Sequence, residues 1–580
     1  MTRLSTATLV AALSLLLPGT RGEASLLFTP IEGNRATSVD ALSRRSLNDR
    51  LEKRRAKNAR SPRRKRAPES DAAKNAAKLD SKLARLAAQG GSERVRVIIR
   101  VRPGSERKVD SAIRRAGFSS RGKLPLIGSI VATIPVGALD ILANHPDVLG
   151  ISSDEVVRTQ GAKKQRDIGG TGKGGPNATS DTTDTDSTSA ASTSSTSTGG
   201  SWQTESLVAN HLLNTLGLDV EPWSGDGVHV AIIDSGVAAF YELSLFGTWS
   251  FLNGAYPSNS DWVPDRDPYG HGTHVAGLIA NDGAESGGLF RGVAANIDRI
   301  YSLRVLDKYG AGYTSDVIRA IQWTIENSRA KIDIINLSLG HPILEPAATD
   351  PLVQAVEAAV RAGIVVVVSA GNYGYDRETG YAGISSPGNA PSAITVGAID
   401  TLLTDTRSDD GVARYSSRGP TWYDAFAKPD IVAPGSALMS TTSPGSTLLF
   451  DNPQLDVDTL NLNGVLHTRL SGTSMAAAVT TGVVARMISA QKQVFGRKAR
   501  PTPNVVKAML QYSALPLADP DVLTQGAGAL NADGAVALAA SIDTSAPDGE
   551  CAACCPMPPK AFATHPCVSN HGATPPWYMN

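Results

Sequence analysis

The sequence predicts an α/β fold in which helices cover both faces of a mostly parallel sheet. Short apolar runs rich in β-formers alternate with segments of helical pattern over residues 202–545, and such alternation is typical of parallel sheets covered by helices. The chain has 580 residues, of which 41% are hydrophobic, so it can bury a large core and form more than one domain. In such folds the active site is expected at the carboxyl ends of the strands.

Seven segments carry this alternation. The first, 228–233, is an apolar strand-like run that ends at Asp234, which places a carboxylate at the carboxyl edge of the predicted sheet. In chain order the segments are 228–233, 275–280, 299–306, 315–327, 332–337, 352–362 and 364–368.

Ser474 lies in the run Ser-Gly-Thr-Ser-Met-Ala-Ala-Ala at 471–478, where a turn leads into compact helix-compatible residues. Gly472 predicts a strained turn that lifts the Ser474 hydroxyl to the start of the helix. Backbone N–H groups at this end lack acceptors within the helix and favour a developing negative charge. Taken alone, the run fits a helix-capping serine as well as a nucleophile, so its partners must decide.

Two such partners lie upstream of the serine. Asp234 ends a buried strand, where a carboxylate is rarely placed without a partner. His271 is flanked by glycines at the start of a small-residue helix, where its imidazole could take the serine proton while Asp234 orients the ring. A metal pair of His271 and His274 is the alternative, but the two are three residues apart, with no cysteine nearby.

Asp234, His271 and Ser474, in this chain order, resemble the catalytic motifs of the subtilase family of subtilisin-like serine proteases. The resemblance covers about 201–540 and implies a subtilisin-like three-layer fold. It also extends to Val-Ser-Ala-Gly-Asn at 368–372, which matches the family motif whose asparagine side chain binds the oxyanion. The resemblance therefore assigns Asn372 and the backbone N–H of Ser474 to the oxyanion hole.

Further motifs resemble the walls between which subtilases bind an extended substrate through main-chain hydrogen bonds. The segment 310–312 also fits a plain loop before the helix at 315–327. None of these residues is charged, so we expect broad specificity with uncharged or apolar residues at P1. The implied substrate-binding residues are Gly310, Ala311, Gly312, Ser338, Leu339, Gly340, Ser369, Ala370, Gly371 and Ser385.

Composition divides the chain into six predicted segments. The first has an apolar run behind Arg3 and small residues near its end, as in secretory signal peptides. The linker is too poor in large apolar residues to fold. The segments are the signal peptide at 1–24, a basic flexible prosegment at 25–91, a propeptide inhibitor-like domain at 92–159, a Gly/Ser/Thr-rich linker at 160–201, the catalytic domain at 202–545 and a Cys/Pro-rich tail at 546–580.

The segment 92–159 has the order strand, helix, strand, helix, strand, with its pieces at 94–102, 105–116, 124–135, 136–144 and 148–157. This order resembles the propeptide inhibitor domain of subtilases, a small ferredoxin-like α+β fold. The resemblance implies that the end near 154–159 occupies the cleft like a product. The position of the cut stays open within the linker.

All four cysteines lie in the tail, at Cys551, Cys554, Cys555 and Cys567. An exported chain favours two disulfides, for which three pairings exist. A metal cluster with His565 and His571 is the alternative.

The chemistry needs no cofactor. The resemblance allows structural calcium, for which the loop 281–288 has suitable oxygens, but it assigns no ligands.

The predicted function is that of a secreted serine endopeptidase, extracellular or periplasmic and monomeric. It would act on peptides and proteins through an acyl-enzyme, with its own propeptide as intramolecular inhibitor. Activity should rise as His271 loses its proton. The net charge of +1 includes basic residues crowded before residue 167, and they require neither a nucleic-acid nor a membrane partner. The alternatives are a narrow-specificity processing protease and a catalytically silent binding protein.

Overall fold

The computed structural model describes residues 77–544 apart from gaps at 160–211, 219–221, 240–242, 259, 262, 265, 328–329, 375–380, 456–466 and 519. All of them belong to one compact unit that starts at Asn75. The predicted signal peptide, most of the basic prosegment, the linker and the cysteine-containing tail lie outside the described residues.

Residues 77–153 form an N-terminal subdomain with a four-stranded antiparallel sheet in the order β2-β3-β1-β4. Its elements are α1 (Ser81–Gln89), β1 (Arg94–Val101), α2 (Glu106–Arg115), β2 (Ser119–Leu124), β3 (Ser129–Pro135), α3 (Leu139–Ala143) and β4 (Val148–Ser153).

The subdomain differs from the sequence prediction in two places. The strand predicted at 124–135 begins only at Ser129, because Pro125 opens a 3-10 turn that ends at the left-handed Gly128 (φ 56°), and the strand β2 before this turn was not predicted. The prosegment predicted to be flexible up to residue 91 contains α1, whose Leu83 is buried in the subdomain core. Basic neighbours mask the apolar spacing of α1 in the sequence.

Side chains alternate between the two faces of β1, and one of these faces packs against the main domain. Val97 and Ile99 pack with Val109 and Ile113 of α2, whereas Ile98 points to the opposite face and belongs to the core of the main domain. The sheet is therefore buried on both faces.

A short strand, β5 (Val156–Thr159), follows the subdomain. The main domain then contains α4 (Leu212–Thr215), β6 (His229–Asp234), β7 (Leu245–Ser250), α5 (His271–Ala280), β8 (Arg299–Arg304), β9 (Ala311–Tyr313), α6 (Thr314–Glu326), β10 (Ile334–Leu337), β11 (Leu339–Gly340), α7 (Pro351–Arg361), β12 (Val365–Ser369), β13 (Ile394–Asp400), β14 (Gly411–Val412), β15 (Ile431–Pro434), β16 (Leu438–Thr441), α8 (Thr447–Asp451), β17 (His467–Leu470), α9 (Thr473–Val494), α10 (Pro503–Ser513), α11 (Val522–Gln525) and α12 (Ala532–Ser541).

An eight-stranded sheet forms the centre of the main domain, in the order β14-β13-β12-β10-β6-β8-β7 with β15 beside β13. Every pair is parallel except β13 with β14. Along β6, Val230 and Ile232 face a core shared with α5 and α9, while Ala231 and Ile233 face a core shared with α6 and α7. This is the predicted three-layer arrangement with helices on both faces.

The neighbouring strands β6, β10 and β12 bring three sequence-distant segments to one edge of the sheet. Asp234 is the last residue of β6, Ser338 follows β10 and Asn372 lies just beyond β12. Because parallel strands end on the same side, these residues share the carboxyl edge.

Candidate active site

Asp234 and His271 are in direct contact and both are fully buried. The imidazole Nδ1 lies 2.8 Å from Asp234 Oδ1 and 3.0 Å from Oδ2. A carboxylate can only accept, so Nδ1 carries the proton and Nε2 is left as the basic nitrogen. Among the described residues, Nε2 has no hydrogen-bond partner, and it is therefore available to accept a proton.

The start of α5 fixes the position of His271, the first residue of the helix. Asp267, a residue that the sequence reasoning missed, caps this end. Its carboxylate accepts from the N–H of Gly270 at 2.8 Å and from both the N–H and the hydroxyl of Thr273, at 2.8 and 2.9 Å. Burial raises the pKa of Asp267. An aspartate four residues before the histidine is a signal in the sequence that could have indicated this cap.

Ser474 lies in the first turn of the 22-residue helix α9 and is fully buried. Its hydroxyl donates to the backbone oxygen of Ser338 at 3.1 Å, so it is turned to this carbonyl in the described conformation. The strained turn predicted at Gly472 is wrong, because its φ of 163° is extended backbone. Close packing occurs instead at Gly435, where a Cβ would lie 2.9 Å from the Gly472 oxygen.

Thr473 holds the side chain of Asn372, which is another contact that the sequence did not reveal. The Asn372 amide oxygen accepts from the N–H and the hydroxyl of Thr473, both at 3.0 Å. Because two donors fix the oxygen, the amide nitrogen points away from Thr473. The Thr473 hydroxyl also accepts from the N–H of Gly371 at 3.2 Å, so it connects both motifs.

The predicted wall residues at 310–312 and 338–340 lie in or directly before two strands, β9 and β11, and β5 runs between these strands. Together they form a three-stranded antiparallel sheet in the order β11-β5-β9. Val157 is paired with Gly312 and Arg158 with both Ala311 and Gly340. Thr159 is paired with Leu339, and its N–H donates to the Gly310 oxygen at 3.3 Å.

The remaining predicted wall residues lie close to one another and are all buried. Ser385 N–H donates to the Ala370 oxygen at 3.0 Å, and the Ser369 hydroxyl reaches the Leu337 oxygen at 3.5 Å. Gly371 has a left-handed φ of 114°, and a Cβ there would lie 2.7 Å from the hydroxyl of Ser417. The segment therefore requires glycine.

The segment 447–467, which departs from the usual subtilase pattern as an insertion-like stretch before Ser474, begins beside the residues before His271. In α8, Thr447 N–H donates to the Pro268 oxygen at 2.9 Å and Leu448 N–H to the Tyr269 oxygen at 3.0 Å. Residues 456–466 of this segment lie outside the described part of the chain.

His274 takes no part in a metal pair with His271. It is buried, and its Nε2 lies 3.1 and 3.0 Å from the backbone oxygens of Leu438 and Thr468. Burial, followed by the neighbouring His271, lowers its pKa to about 3, so the ring is neutral. The described residues hold no cluster of three or more side chains suited to a metal. In the loop proposed for calcium, the Asp282 carboxylate accepts from Ala284 N–H at 2.8 Å.

Comparison with known proteins identifies the family of this chain. The family model described as the subtilase family, peptidase S8, matches residues 225–536. The chain is 38% identical over 326 residues to serine protease AprX of Bacillus subtilis (strain 168), a match covering 54% of this chain and 67% of that protein. It is 34% identical over 274 residues to subtilisin DY of Bacillus licheniformis, covering 47% of this chain and 80% of that protein.

A crystal structure of fervidolysin from Fervidobacterium pennivorans shares the fold, with a TM-score of 0.53 and 21% identity. The match covers 77% of this chain and 61% of that one. The family model covers more than half of the sequence studied. The chain thus belongs to the subtilase family and is a serine protease.

Proposed function

We propose that the protein is an endopeptidase in which Ser474 is the nucleophile, His271 the general base and Asp234 the group that orients the imidazole. The observation that carries this proposal is the buried contact of Asp234 with His271 Nδ1, at 2.8 and 3.0 Å, which leaves Nε2 to accept a proton. Ser474 Oγ would form a bond to the peptide carbonyl carbon, His271 would take its proton and return it to the leaving amine, and water would then hydrolyse the ester.

The Ser474 hydroxyl must turn before it can react. It now donates to the Ser338 oxygen, and in the proposed reaction it would donate to His271 Nε2 instead. Rotation of the side chain between staggered states would supply this change of acceptor.

Asn372 and the N–H of Ser474 would hold the oxyanion. The two bonds from Thr473 fix the amide oxygen of Asn372, and this supports a fixed direction for its N–H donor. The N–H of Ser474 belongs to the first helical turn, where such groups have no acceptor within the helix. Donors fixed in advance stabilise developing charge without reorganisation.

Residues 77–159 would act as an intramolecular inhibitor. The support is the position of β5, which is hydrogen-bonded between β9 and β11 as an extended peptide substrate would be. While β5 occupies these two edges, no other peptide can pair with them.

The same register indicates where the inhibitor would be cut. Thr159 is paired with Leu339, and the Ser474 hydroxyl lies at the oxygen of the preceding residue, Ser338. Ser338 directly precedes the residue that pairs with the end of β5. We therefore propose that the inhibitor is cut shortly after Thr159, and intact mass of the processed fragments would identify the bond.

A fluorophosphonate reagent tests the assignment of the nucleophile, because it forms a Ser–O–P bond and releases fluoride only at an activated serine. We expect one adduct by intact mass on the processed protein and on Ser471→Ala. No adduct is expected on Ser474→Ala. An adduct that survives Ser474→Ala, or none on the unaltered protein, would contradict the mechanism.

Substrate range and location are part of the same proposal. The buried wall residues Ser369, Ala370, Gly371 and Ser385 carry no charge, which supports broad specificity for uncharged P1 residues over a single precursor. We also propose secretion, on the basis of the apolar run at 7–17, and a monomer stays a prediction. Among the described residues, no helix is long and apolar enough to cross a membrane. The proposed chemistry uses protein groups alone, and structural calcium stays a prediction without ligands.

A further inference from the structure

The ring of Tyr269 lies directly on Gly310, the residue before β9. A Cβ at Gly310 would be 2.6 Å from ring atoms Cε1 and Cζ and 3.0 Å from Cδ1, so the ring and this glycine are in close contact. The Gly310 oxygen accepts from Thr159 N–H at 3.3 Å. The residue that the ring covers therefore supplies one of the main-chain contacts to the bound strand β5.

The turn that contains Gly310 is held together by Asp307. The Asp307 carboxylate accepts from Tyr309 N–H at 2.8 Å and from Ala311 N–H at 3.2 Å, and the Asp307 backbone oxygen accepts from Gly310 N–H at 3.1 Å. Because all of these bonds lie within 307–311, they fix the shape of the turn but not its position against the rest of the main domain. Gly310 has a left-handed φ of 69°, and glycine adopts many other conformations as easily.

Tyr269 is itself fixed to the packed interior of the main domain. Its backbone oxygen accepts from Leu448 N–H of α8 at 3.0 Å. Leu448 is buried in the core shared with α5 and α9, and the Tyr269 side chain packs against the same core. The ring therefore connects the turn at Gly310 to a part of the molecule that cannot easily move.

We propose that Tyr269 is a positioning residue whose ring holds the Gly310 carbonyl in place for the main chain of an extended substrate. This inference rests on the proposed function, because it requires a substrate to take the place of β5 between β9 and β11. Main-chain hydrogen bonds supply much of the affinity for an added strand. Loss of the ring would free the carbonyl, and loss of one net hydrogen bond raises KM about threefold to tenfold.

The split between KM and kcat separates this role from an effect on the proposed general base. The ring centroids of Tyr269 and His271 are 6.5 Å apart, so a residue that acted through His271 would lower kcat. A residue that only positions a substrate-binding carbonyl raises KM and leaves kcat nearly unchanged.

Steady-state kinetics of the processed enzyme on one extended fluorogenic peptide test the proposal, with active enzyme counted by its Ser474 fluorophosphonate adduct. We expect Tyr269→Ala to raise KM about threefold to tenfold and to change kcat less than about twofold. Tyr269→Phe keeps the ring and should keep the original KM. Tyr512→Ala, at an exposed tyrosine on α10, is the control and should leave both constants unchanged. If Tyr269→Ala gives no countable enzyme, Tyr269→Val takes its place with the same expectation.

A double-mutant cycle tests the contact itself. Gly310→Ala strains a left-handed residue in every background, but it also places a Cβ against the ring when Tyr269 is present. We therefore expect Gly310→Ala to raise KM at least about threefold more in the unaltered enzyme than in Tyr269→Ala.

Three results would overturn this inference alone, in an enzyme whose Ser474 still forms its adduct. They are an equal effect of Gly310→Ala in both backgrounds, a fall in kcat at constant KM in Tyr269→Ala, and a Tyr269→Phe variant as impaired as Tyr269→Ala. Absence of both peptide cleavage and the Ser474 adduct in the unaltered protein would overturn the proposed function and this inference with it.

Discussion

Single side chains set the geometry around the nucleophile, and Thr473 is the clearest case. Its hydroxyl donates to the Asn372 oxygen and accepts from Gly371 N–H, at 3.0 and 3.2 Å. One threonine thereby orients the amide proposed for the oxyanion and satisfies a buried backbone donor. A residue next to the nucleophile can therefore affect catalysis without touching the substrate.

Thr473→Val is expected to lower kcat about tenfold while KM changes little, because two hydrogen bonds are lost and the Asn372 amide is no longer fixed. Thr473→Ser keeps the hydroxyl and should restore most of kcat. Steady-state kinetics on one peptide would measure both variants. A loss of activity in the valine variant that appears only in KM would contradict the orienting role.

His274 links stability to pH. Its pKa falls from 6.5 to about 3 because the ring is buried and lies near His271. The unfolded chain therefore binds one proton more than the folded chain between these values, so the contribution is complete above about pH 6.5 and is lost as pH falls. The slope from this residue is at most about 1.4 kcal/mol per pH unit.

We expect urea unfolding of the uncleaved Ser474→Ala chain to show lower stability at about pH 5 than at about pH 7. His274→Gln in the same background keeps a neutral polar side chain and should make the dependence shallower. If the free energy of unfolding of His274→Gln changed with pH as steeply as before, groups other than His274 would cause the pH effect.

At the scale of elements, the turn after β4 connects the inhibitor-like subdomain to the first turn of α6. Asp154 accepts from the N–H and the hydroxyl of Ser315, at 2.8 and 3.0 Å, and from the Arg96 guanidinium, at 2.9 and 2.7 Å. The carboxylate thus caps a helix of the main domain while it is paired within its own subdomain.

Asp154→Ala should release the cleaved subdomain sooner, because charge-assisted bonds across the boundary are lost. We expect the lag between self-cleavage and full peptidase activity to shorten by roughly tenfold or more. Asp110→Ala is the control, since Asp110 contacts only Arg114 and Ser120 inside the subdomain among the described bonds. Equal lags in all three proteins would contradict the role of Asp154.

At the scale of the whole molecule, acidic groups meet at the boundary between the subdomain and the main domain. Glu345 lies in a small pocket with Asp80, Ser153, His341 and Asp350. Burial, together with the charge of Asp350, raises the pKa of Glu345 to about 8. Asp80 on the subdomain side also has a raised pKa because it is buried.

A boundary that buries the protonated carboxyl group of Glu345 should weaken as pH rises. Separation exposes Glu345 and returns its pKa toward 4.5. Below that pH both forms are protonated and Glu345 does not oppose association. As pH rises from there to about 8, the separated form loses its proton and association becomes progressively less favourable. We expect the cleaved subdomain to co-elute with the main domain on size exclusion at about pH 5 and to separate at about pH 9. Glu345→Gln should flatten this dependence, and equal retention of the unaltered protein at both pH values would contradict it.

Much of the fold followed from local patterns. The strands at 228–233, 299–306 and 364–368 and the helices at 315–327 and 352–362 match observed elements to within a few residues, because apolar spacing depends on which faces are buried. The strand β2 and the helix α1 were missed, because the short polar β2 and the basic residues of α1 hide the apolar spacing there.

The sequence by itself determined the family, the three-layer architecture and the identities of Asp234, His271, Ser474 and Asn372 as candidates, because each stands in a short motif beside a strand or helix end. Only the tertiary structure decided that Asp234 contacts His271, that the Ser474 hydroxyl is turned to Ser338, and that β5 lies between β9 and β11. These contacts join residues far apart in the chain, and their geometry depends on the packing of whole elements, which no local pattern encodes.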